Sequence, residues 1–397
     1  MSLNATPSSE RIHIGFFGRR NAGKSSLVNA VTGQDLAVVS EVPGTTTDPV
    51  RKAMELLPLG PVVIIDTPGL DDEGVLGELR VQKTEAILKE VNLAVVVADV
   101  GIGLRAEDEE LITLLKKKQI PYVIAMNKTD LQKGNENEEM PGAEEILYVS
   151  AHTGYHIELL KEKIAKLGKT QITVKKIVGD LIGQGDVVVL VVPIDEAAPK
   201  GRLILPQQQT IRDILDAGAV SVVCKDTELA ETLAKIGEKP KLVITDSQAF
   251  GKVSRIVPED VLLTSFSILF ARYKGNLDIL VGGARVLDTL RDGDRILMAE
   301  GCTHHRQCGD IGSVKIPALI RKHTGKNIEF ALCSGADFPE DLKSYKLVIH
   351  CGGCTLTEQV MQRRLQACSQ AEVPVTNYGM AIAHMNGILK RSMEVFL

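Results

Sequence analysis

The chain has 397 residues, 44% of them hydrophobic, with Lys+Arg 46 against Asp+Glu 51 and a net charge of −5. That length predicts roughly two or three domains with ordinary cores, and the acidic balance argues against an electrostatic nucleic-acid binder. Aromatic residues make up only 4% and Trp is absent, which also argues against base-stacking platforms.

The first ten residues are polar and lack the apolar core of a signal peptide. The longest apolar runs, at 91–100 and 261–270, are too short to span a bilayer. Seven cysteines in a long leaderless chain fit a reducing compartment rather than a disulfide framework. The expectation is a cytoplasmic protein without membrane association.

Residues 12–17 predict a strand, Gly18-Arg-Arg-Asn-Ala-Gly-Lys-Ser25 follows it, and 27–31 continues as a helix. This is the order of a P-loop, in which glycines let backbone amides and the helix N-terminus face a phosphate. The expected phosphate set is Gly18, Asn21, Ala22, Gly23, Lys24, Ser25 and Ser26. Lys24 would reach the β- and γ-phosphates, and the Ser25 hydroxyl would bind Mg²⁺.

Residues 62–65 predict a buried strand that ends in Asp66-Thr-Pro-Gly69. Asp66 would hold Mg²⁺ through water, and the Gly69 amide would sense the γ-phosphate. Between the two motifs lies Gly44-Thr-Thr-Thr-Asp48, able to supply a hydroxyl to Mg²⁺; Thr46 is chosen by its place, with Thr45 and Thr47 beside it as alternatives. A further strand at 122–126 ends in Asn127-Lys-Thr-Asp130. The Asp130 carboxylate can accept from guanine N1–H and the 2-amino group, a pair adenine cannot donate, so the expected nucleotide is GTP. A strand at 146–149 leads to Ser150-Ala-His-Thr-Gly154, which closes the base set of Asn127, Lys128, Asp130, Ser150 and Ala151.

These motifs, in this order, resemble those of translation-factor-class small GTPases, most closely the TrmE and Era branch. That branch has the loop Gly-Arg-x-Asn-x-Gly-Lys-Ser, matched by Gly18, Arg19, Asn21, Gly23, Lys24 and Ser25. The resemblance implies that Asn21 helps bind K⁺ next to the phosphates, so that Asn21 and Lys24 form the catalytic pair. Leu70 stands where Ras-like enzymes carry a water-positioning glutamine. An apolar side chain cannot orient water, so slow intrinsic hydrolysis stimulated by K⁺ is expected. The segment 70–90 reads as the switch that orders with the γ-phosphate.

After a connecting segment at 170–178, strands are predicted at 186–192, 220–224 and 241–245, with helices at 207–217 and 228–236. This small α/β unit carries no ligand motif, so its expected job is assembly as a homodimer. Strands at 296–299, 328–332, 347–349 and 373–376 then alternate with helices at 279–289, 314–323 and 356–370, the pattern of a parallel sheet. The first of these strands runs into Cys302-Thr-His304, and the third into His350-Cys-Gly-Gly-Cys354. If the two strands are parallel neighbours, both pieces meet at the carboxyl edge of one sheet, where α/β folds place ligands.

A two-residue spacer puts Cys351 and Cys354 on one side, and Cys302 adds a third thiolate. Three thiolates suit an iron–sulfur cluster with one open iron, or a zinc site completed by His; buried structural thiols are the plainer alternative. Cys308 and His305 are close enough in sequence to ligate. Cys224, Cys333 and Cys368 read as core thiols, and His323 and His384 as structural.

The combination of these GTPase motifs with Cys302, His304, His350, Cys351 and Cys354 resembles the HydF family of FeFe-hydrogenase maturation GTPases, over the whole chain. The resemblance implies a 4Fe–4S cluster on Cys302, Cys351 and Cys354, with His304 or His350 as a fourth or exchangeable ligand. It implies a scaffold and carrier that receives the precursor of the hydrogenase's two-iron unit. Its partners would be the radical-SAM maturases HydE and HydG, and the apo-hydrogenase to which it passes that precursor. The expected fold class is α/β: a P-loop GTPase domain at 1–169, then two smaller α/β domains with mainly parallel sheets, for dimerisation at 170–263 and for the cluster at 264–397. The rival reading is a ribosome- or tRNA-associated GTPase with a structural zinc module; the acidic balance and the lack of a basic stretch near the cysteines speak against it.

Overall fold

The computed structural model describes residues 7–34, 50–67, 84, 87–131, 145–170, 175–193, 203–301, 310–335 and 337–397. Thr46, Gly69, Leu70, Cys302, His304, His305 and Cys308 lie outside the described residues. The chain forms two compact units, Met1–Val174 and Lys175–Leu397.

The first unit holds strands β1 (Ile12–Phe17), β2 (Val50–Leu56), β3 (Gly60–Asp66), β4 (Leu93–Asp99), β5 (Tyr122–Asn127) and β6 (Ile146–Tyr148). Its helices include α1 (Lys24–Thr32), α2 (Ala106–Lys117) and α3 (Ile157–Lys169). The sheet order is β2-β3-β1-β4-β5-β6. All pairs are parallel except β2 with β3. The apolar runs are continuous because both faces are covered. Ile12, Ile14 and Phe16 pack with Val62 and Ile64 on one face, while Phe17 packs with Val63 and Ile65 on the other. Strand β2 shows no such run; its residues are mostly exposed, so patterning does not predict it. It is an edge strand held by its ladder to β3 and by Arg51, which donates to Glu90 at 3.1 Å.

The second unit opens with β7 (Val187–Val191), α4 (Leu205–Asp216), β8 (Val220–Cys224), α5 (Leu229–Ile236), β9 (Leu242–Thr245), α6 (Phe250–Ile256) and β10 (Leu262–Ser265). It continues with α7 (Phe266–Lys274), α8 (Leu277–Arg285), β11 (Arg295–Glu300), α9 (Ile316–Thr324), β12 (Glu329–Ser334) and β13 (Leu347–His350). It ends with α10 (Glu358–Gln370), β14 (Val375–Asn377), α11 (Tyr378–Met385) and α12 (Leu389–Met393). Two four-stranded sheets result, in the orders β10-β9-β7-β8 and β12-β11-β13-β14. Both are entirely parallel.

One hydrophobic cluster joins both sheets: Val189, Val243 and Leu263 from the first meet Leu297, Ala299 and Val348 from the second, with Phe250, Ile268 and Met380 from helices. Each outer face has a core of its own. Val188, Leu190 and Ile244 pack with Leu269, and Ile296, Met298 and Ile349 pack with Ile316 and Ile320. The largely apolar run at 261–270 divides at Ser265, which ends β10 and whose hydroxyl accepts from Ile268 N to cap α7.

Helix α8 lies against β14 so closely that a Cβ on Gly283 would sit 2.0 Å from the Val375 carbonyl oxygen, whereas one on Gly282 would meet nothing within 4 Å. Backbone cannot yield as a side-chain tip can. Gly283→Ala should therefore cost about 1–3 kcal/mol or more and lower Tm by several degrees in thermal unfolding. Gly282→Ala, on the exposed side of the same helix, should raise stability by up to about 1 kcal/mol. Equal effects from the two substitutions would contradict the packing described.

Candidate functional site

The P-loop leaves the carboxyl end of β1, a central strand flanked by β3 and β4. Its backbone needs its glycines. Gly23 has φ 85°, and a Cβ there would sit 2.3 Å from Asn127 Nδ2; a Cβ on Gly18 would sit 2.1 Å from the Val97 carbonyl oxygen. Asn21 also takes a left-handed φ of 60°, which Asn tolerates better than most residues, and its side chain is exposed. Lys24 is buried and donates to the Arg19 carbonyl at 2.8 Å, curling the loop on itself. Arg19 is turned aside, with Nε donating to buried Asp108 at 3.1 Å.

Ser25 Oγ donates to Asp66 Oδ2 at 3.0 Å, bringing together the two residues expected at Mg²⁺. Asp66 is only 4% exposed, and no donor among the described residues reaches its Oδ1. Burial raises the Asp66 carboxyl above its usual range, opposed by the Ser25 hydrogen bond and by Lys24. A buried carboxylate oxygen lacking a donor, beside a hydroxyl, fits a divalent cation.

The base loops converge on buried Asn127. Its Nδ2 donates to the Ala22 carbonyl at 3.1 Å, and its Oδ1 accepts from Ala151 N at 3.0 Å. One amide therefore clamps the phosphate loop to the base loop. Ser150 Oγ donates to Asp130 Oδ1 at 2.5 Å, orienting a carboxylate that stays exposed for a ligand. Lys128 pairs with Asp99 at 2.8 Å, which positions its stem; Asp99 is a contributor that no sequence motif marked.

The second constellation forms at the carboxyl edge of the other unit's second sheet. Strands β11 and β13 are parallel neighbours, with Ala299 opposite His350. Past the strand end, Cys351 N donates to the Ala299 carbonyl at 2.8 Å. Gly301 N donates to Cys351 Sγ at 3.1 Å, and Thr355 Oγ1 donates to the Gly301 carbonyl at 3.2 Å. Gly353 N adds a second amide to the same sulfur at 3.4 Å. The residue that precedes Cys302 thus touches the sulfur of Cys351. Amides aimed at a sulfur favour its thiolate. Burial, however, pushes the Cys351 thiol up to about 11 and also raises Cys354, against the pull of Lys274.

Two buried cations flank this loop. Lys274, at the end of α7 and 2% exposed, donates to the carbonyls of Leu356 at 2.9 Å, Cys354 at 3.2 Å and Gly353 at 3.3 Å. Arg364 on α10 is 6% exposed, donates to the Gly335 carbonyl, and lies 5.0 Å over the Phe338 ring. Its Nη1 donates to His350 Nε2 at 2.8 Å. Guanidinium has no lone pair to accept with, so Nε2 is the acceptor and His350 Nδ1–H donates to the Cys351 carbonyl at 2.8 Å. Burial and Arg364 lower the imidazole pKa to about 4, which keeps it neutral. Both nitrogens of His350 are engaged, and ligation at Nε2 would require Arg364 to leave.

A family model described as the hydrogen maturase F dimerization domain matches residues 177–275, and one described as the hydrogen maturase F tetramerization domain matches 252–395. The two together span more than half of the chain. The chain belongs to the hydrogen maturase F (HydF) family. A third model, described as a 50S ribosome-binding GTPase, matches 13–128.

The tRNA modification GTPase MnmE of Heliobacterium modesticaldum is 37% identical over 155 residues, 38% of this chain and 33% of the relative. The GTPase Era of Caldicellulosiruptor saccharolyticus is 28% identical over 253 residues, 58% of this chain and 83% of the relative. The match thus spans about a third of the length of the first of these relatives. Among solved structures, Aquifex aeolicus Era bound to GDP and aluminium fluoride covers 62% of this chain and 97% of its own, with 19% identity and a TM-score of 0.35. The matched HydF segments are both described by assembly, so the family gives 252–395 an oligomeric role that the sequence reading gave only to the middle segment. No helix among the described residues is long and apolar enough to cross a membrane.

Lys274 and Arg364 carry no motif; only the fold brings them to the cysteines. Lys274→Met removes the donors to three loop carbonyls, and leaving such groups unmet costs about 1–3 kcal/mol each. The variant should show faster labelling of Cys351 and Cys354 by a thiol reagent, together with a lower Tm. Unchanged labelling rates would mean that the loop is held by other contacts.

Proposed function

We propose that this chain is a GTP-hydrolysing scaffold that binds a 4Fe–4S cluster through Cys302, Cys351 and Cys354, receives the two-iron precursor of the FeFe-hydrogenase and passes it to the apo-hydrogenase. The observation that carries the reading is the Gly301 amide on Cys351 Sγ, which sets the residue before Cys302 against the Cys351–Cys354 segment. The donor set fits an iron–sulfur group: sulfurs that accept backbone amides, in a buried edge flanked by Lys274 and Arg364. Such a cluster, held by three thiolates, offers one iron able to take and release a ligand. His304 is the imidazole candidate for that position. His350 serves as acceptor and orienter, and becomes a ligand only if Arg364 moves.

At the first site, Lys24 and the amides of 18–26 hold the β- and γ-phosphates of GTP, and Ser25 and Asp66 hold Mg²⁺, with Thr46 and the Gly69 amide completing the set. Asn127, Lys128, Asp130, Ser150 and Ala151 hold the guanine. Asn21 supplies a ligand for K⁺. HydE, HydG and the apo-hydrogenase are the partners, and the nucleotide state gates their binding. On this reading the GTPase part is 1–169, assembly as a homodimer and larger oligomer begins at 170–263, and the cluster is carried by 264–397.

The ribosome- or tRNA-associated alternative has support only in what the GTPase part matches, a 50S ribosome-binding GTPase model and tRNA modification GTPases; residues 177–395 match HydF models. Anaerobic reconstitution should give about four irons and four sulfides per chain, with an EPR signal on reduction. Both should be lost in Cys351→Ser with the fold and GTP turnover retained. Stoichiometric zinc in a colourless protein would favour the rival. GTP turnover should be faster in KCl than in NaCl, and Asn21→Ala should abolish that difference; equal rates in the two salts would remove K⁺ from the mechanism.

A further inference from the structure

At the edge of the second sheet opposite the cysteines, three side chains from three separate elements converge. Asp288 lies in the turn Val286–Thr289 that precedes β11, His323 in the last turn of α9, and His384 in the last turn of α11. His323 Nε2 lies 2.9 Å from Asp288 Oδ1, and His384 Nε2 lies 2.9 Å from Asp288 Oδ2. The ligand atoms all fall within 4.8 Å of one another. Atoms bound to one metal at about 2.0–2.2 Å stand roughly 3.3–3.5 Å apart, so modest side-chain rotation closes the set.

We infer that Asp288, His323 and His384 form a binding site for a late first-row divalent cation, zinc above all, independent of the nucleotide and cysteine sites. Two imidazoles and a carboxylate are a donor set that such ions favour. Each imidazole frees its Nε2 lone pair when that proton moves to Nδ1 through solvent, so coordination replaces a hydrogen bond without opening the fold. The His323 side chain is 29% and His384 17% exposed, and Asp288 is 55% exposed, so water can complete the coordination sphere. Both histidines sit at helix C-termini, where the carbonyl ends favour positive charge. Asp288 accepts from one imidazole on each of its two oxygens, and hydrogen bonds to a carboxylate favour its charged form. The simpler role for these groups is a hydrogen-bonded strap tying α9 and α11 to the turn before β11, and only metal binding separates the two.

The test uses the full-length, tag-free chain, anaerobic, with GDP and excess Mg²⁺ filling the nucleotide site. In a Co²⁺ titration the wild-type chain should take up one more equivalent than His323→Ala/His384→Ala. The extra equivalent should lack the intense near-ultraviolet band of cobalt bound to thiolate. Zn²⁺ should raise Tm in the wild type, and Asp288→Asn should weaken Zn²⁺ binding at least about tenfold, the cost of losing even an outer-sphere partner. Circular dichroism checks that the double variant is folded; if it is not, His323→Gln/His384→Gln is read in its place. Equal uptake by the wild-type and double-variant chains, or an extra equivalent carrying the thiolate band, would overturn the site.

Discussion

The parallel pairing of β11 with β13 is the constraint on which the cysteine site depends. With Ala299 opposite His350, alternate residues of β13 are assigned to opposite faces. Leu347, Ile349 and Cys351 turn toward the core that holds Ile316 and Ile320, while Val348 turns toward the core shared with the other sheet. His350 therefore points at α10, where Arg364 meets it. A slip of one residue would exchange the two faces. It would carry Cys351 away from the Gly301 amide and leave an imidazole in its place.

Electrostatics then decides what that edge can hold. Burying thiolates is costly unless the charge is answered. With a thiol pKa near 11, Cys351 by itself is a neutral thiol at physiological pH, so something must displace its proton before it can carry charge. A bound cation would do this, and the amides of Gly301 and Gly353 are already aimed at the sulfur that would carry the charge. Lys274 and Arg364 supply positive charge from behind the loop without offering lone pairs of their own. Because His350 stays neutral, it can accept from Arg364 and so fix where that charge lies. The arrangement suits the proposed thiolate-held cluster better than a reactive free cysteine.

Much of this was legible in the chain. The P-loop and base motifs are readable because each answers a local demand, such as a left-handed backbone at Gly23 or an amide that must reach Ala22 and Ala151 together. The central strands of both units announce themselves as apolar runs because they are covered on both faces. What was not legible depends on tertiary placement. Strand β2 has an exposed surface and takes its structure from β3. The run at 261–270 hides a change from strand to helix whose local sign is the cap at Ser265. Lys274 belongs to no motif, and only the fold buries it against the Cys354 carbonyl. The sharing of one core by Val243 and Val348 is likewise invisible to periodicity, which reports that a face is apolar but not what covers it. Asp288, His323 and His384 have no common spacing, and nothing short of the fold joins them.

The same topology gives the two edges of these sheets opposite chemical characters. In a parallel β–α unit the helix that follows a strand starts at the carboxyl edge and returns to the amino edge. Helix N-termini, with amides unmet and positive in effect, gather at the first edge; C-terminal carbonyls, negative in effect, gather at the second. Helix α1 begins at Lys24, directly after the phosphate loop, and α10 begins at Glu358, four residues past Cys354. Both candidate sites for anionic groups, phosphates in one unit and metal-bound thiolates in the other, therefore lie where the helix termini favour negative charge. The ends of α9 and α11 point the other way, and there the chain has placed two imidazoles around one carboxylate. A cation site at that edge follows from the same backbone order that makes the opposite edge suit anions.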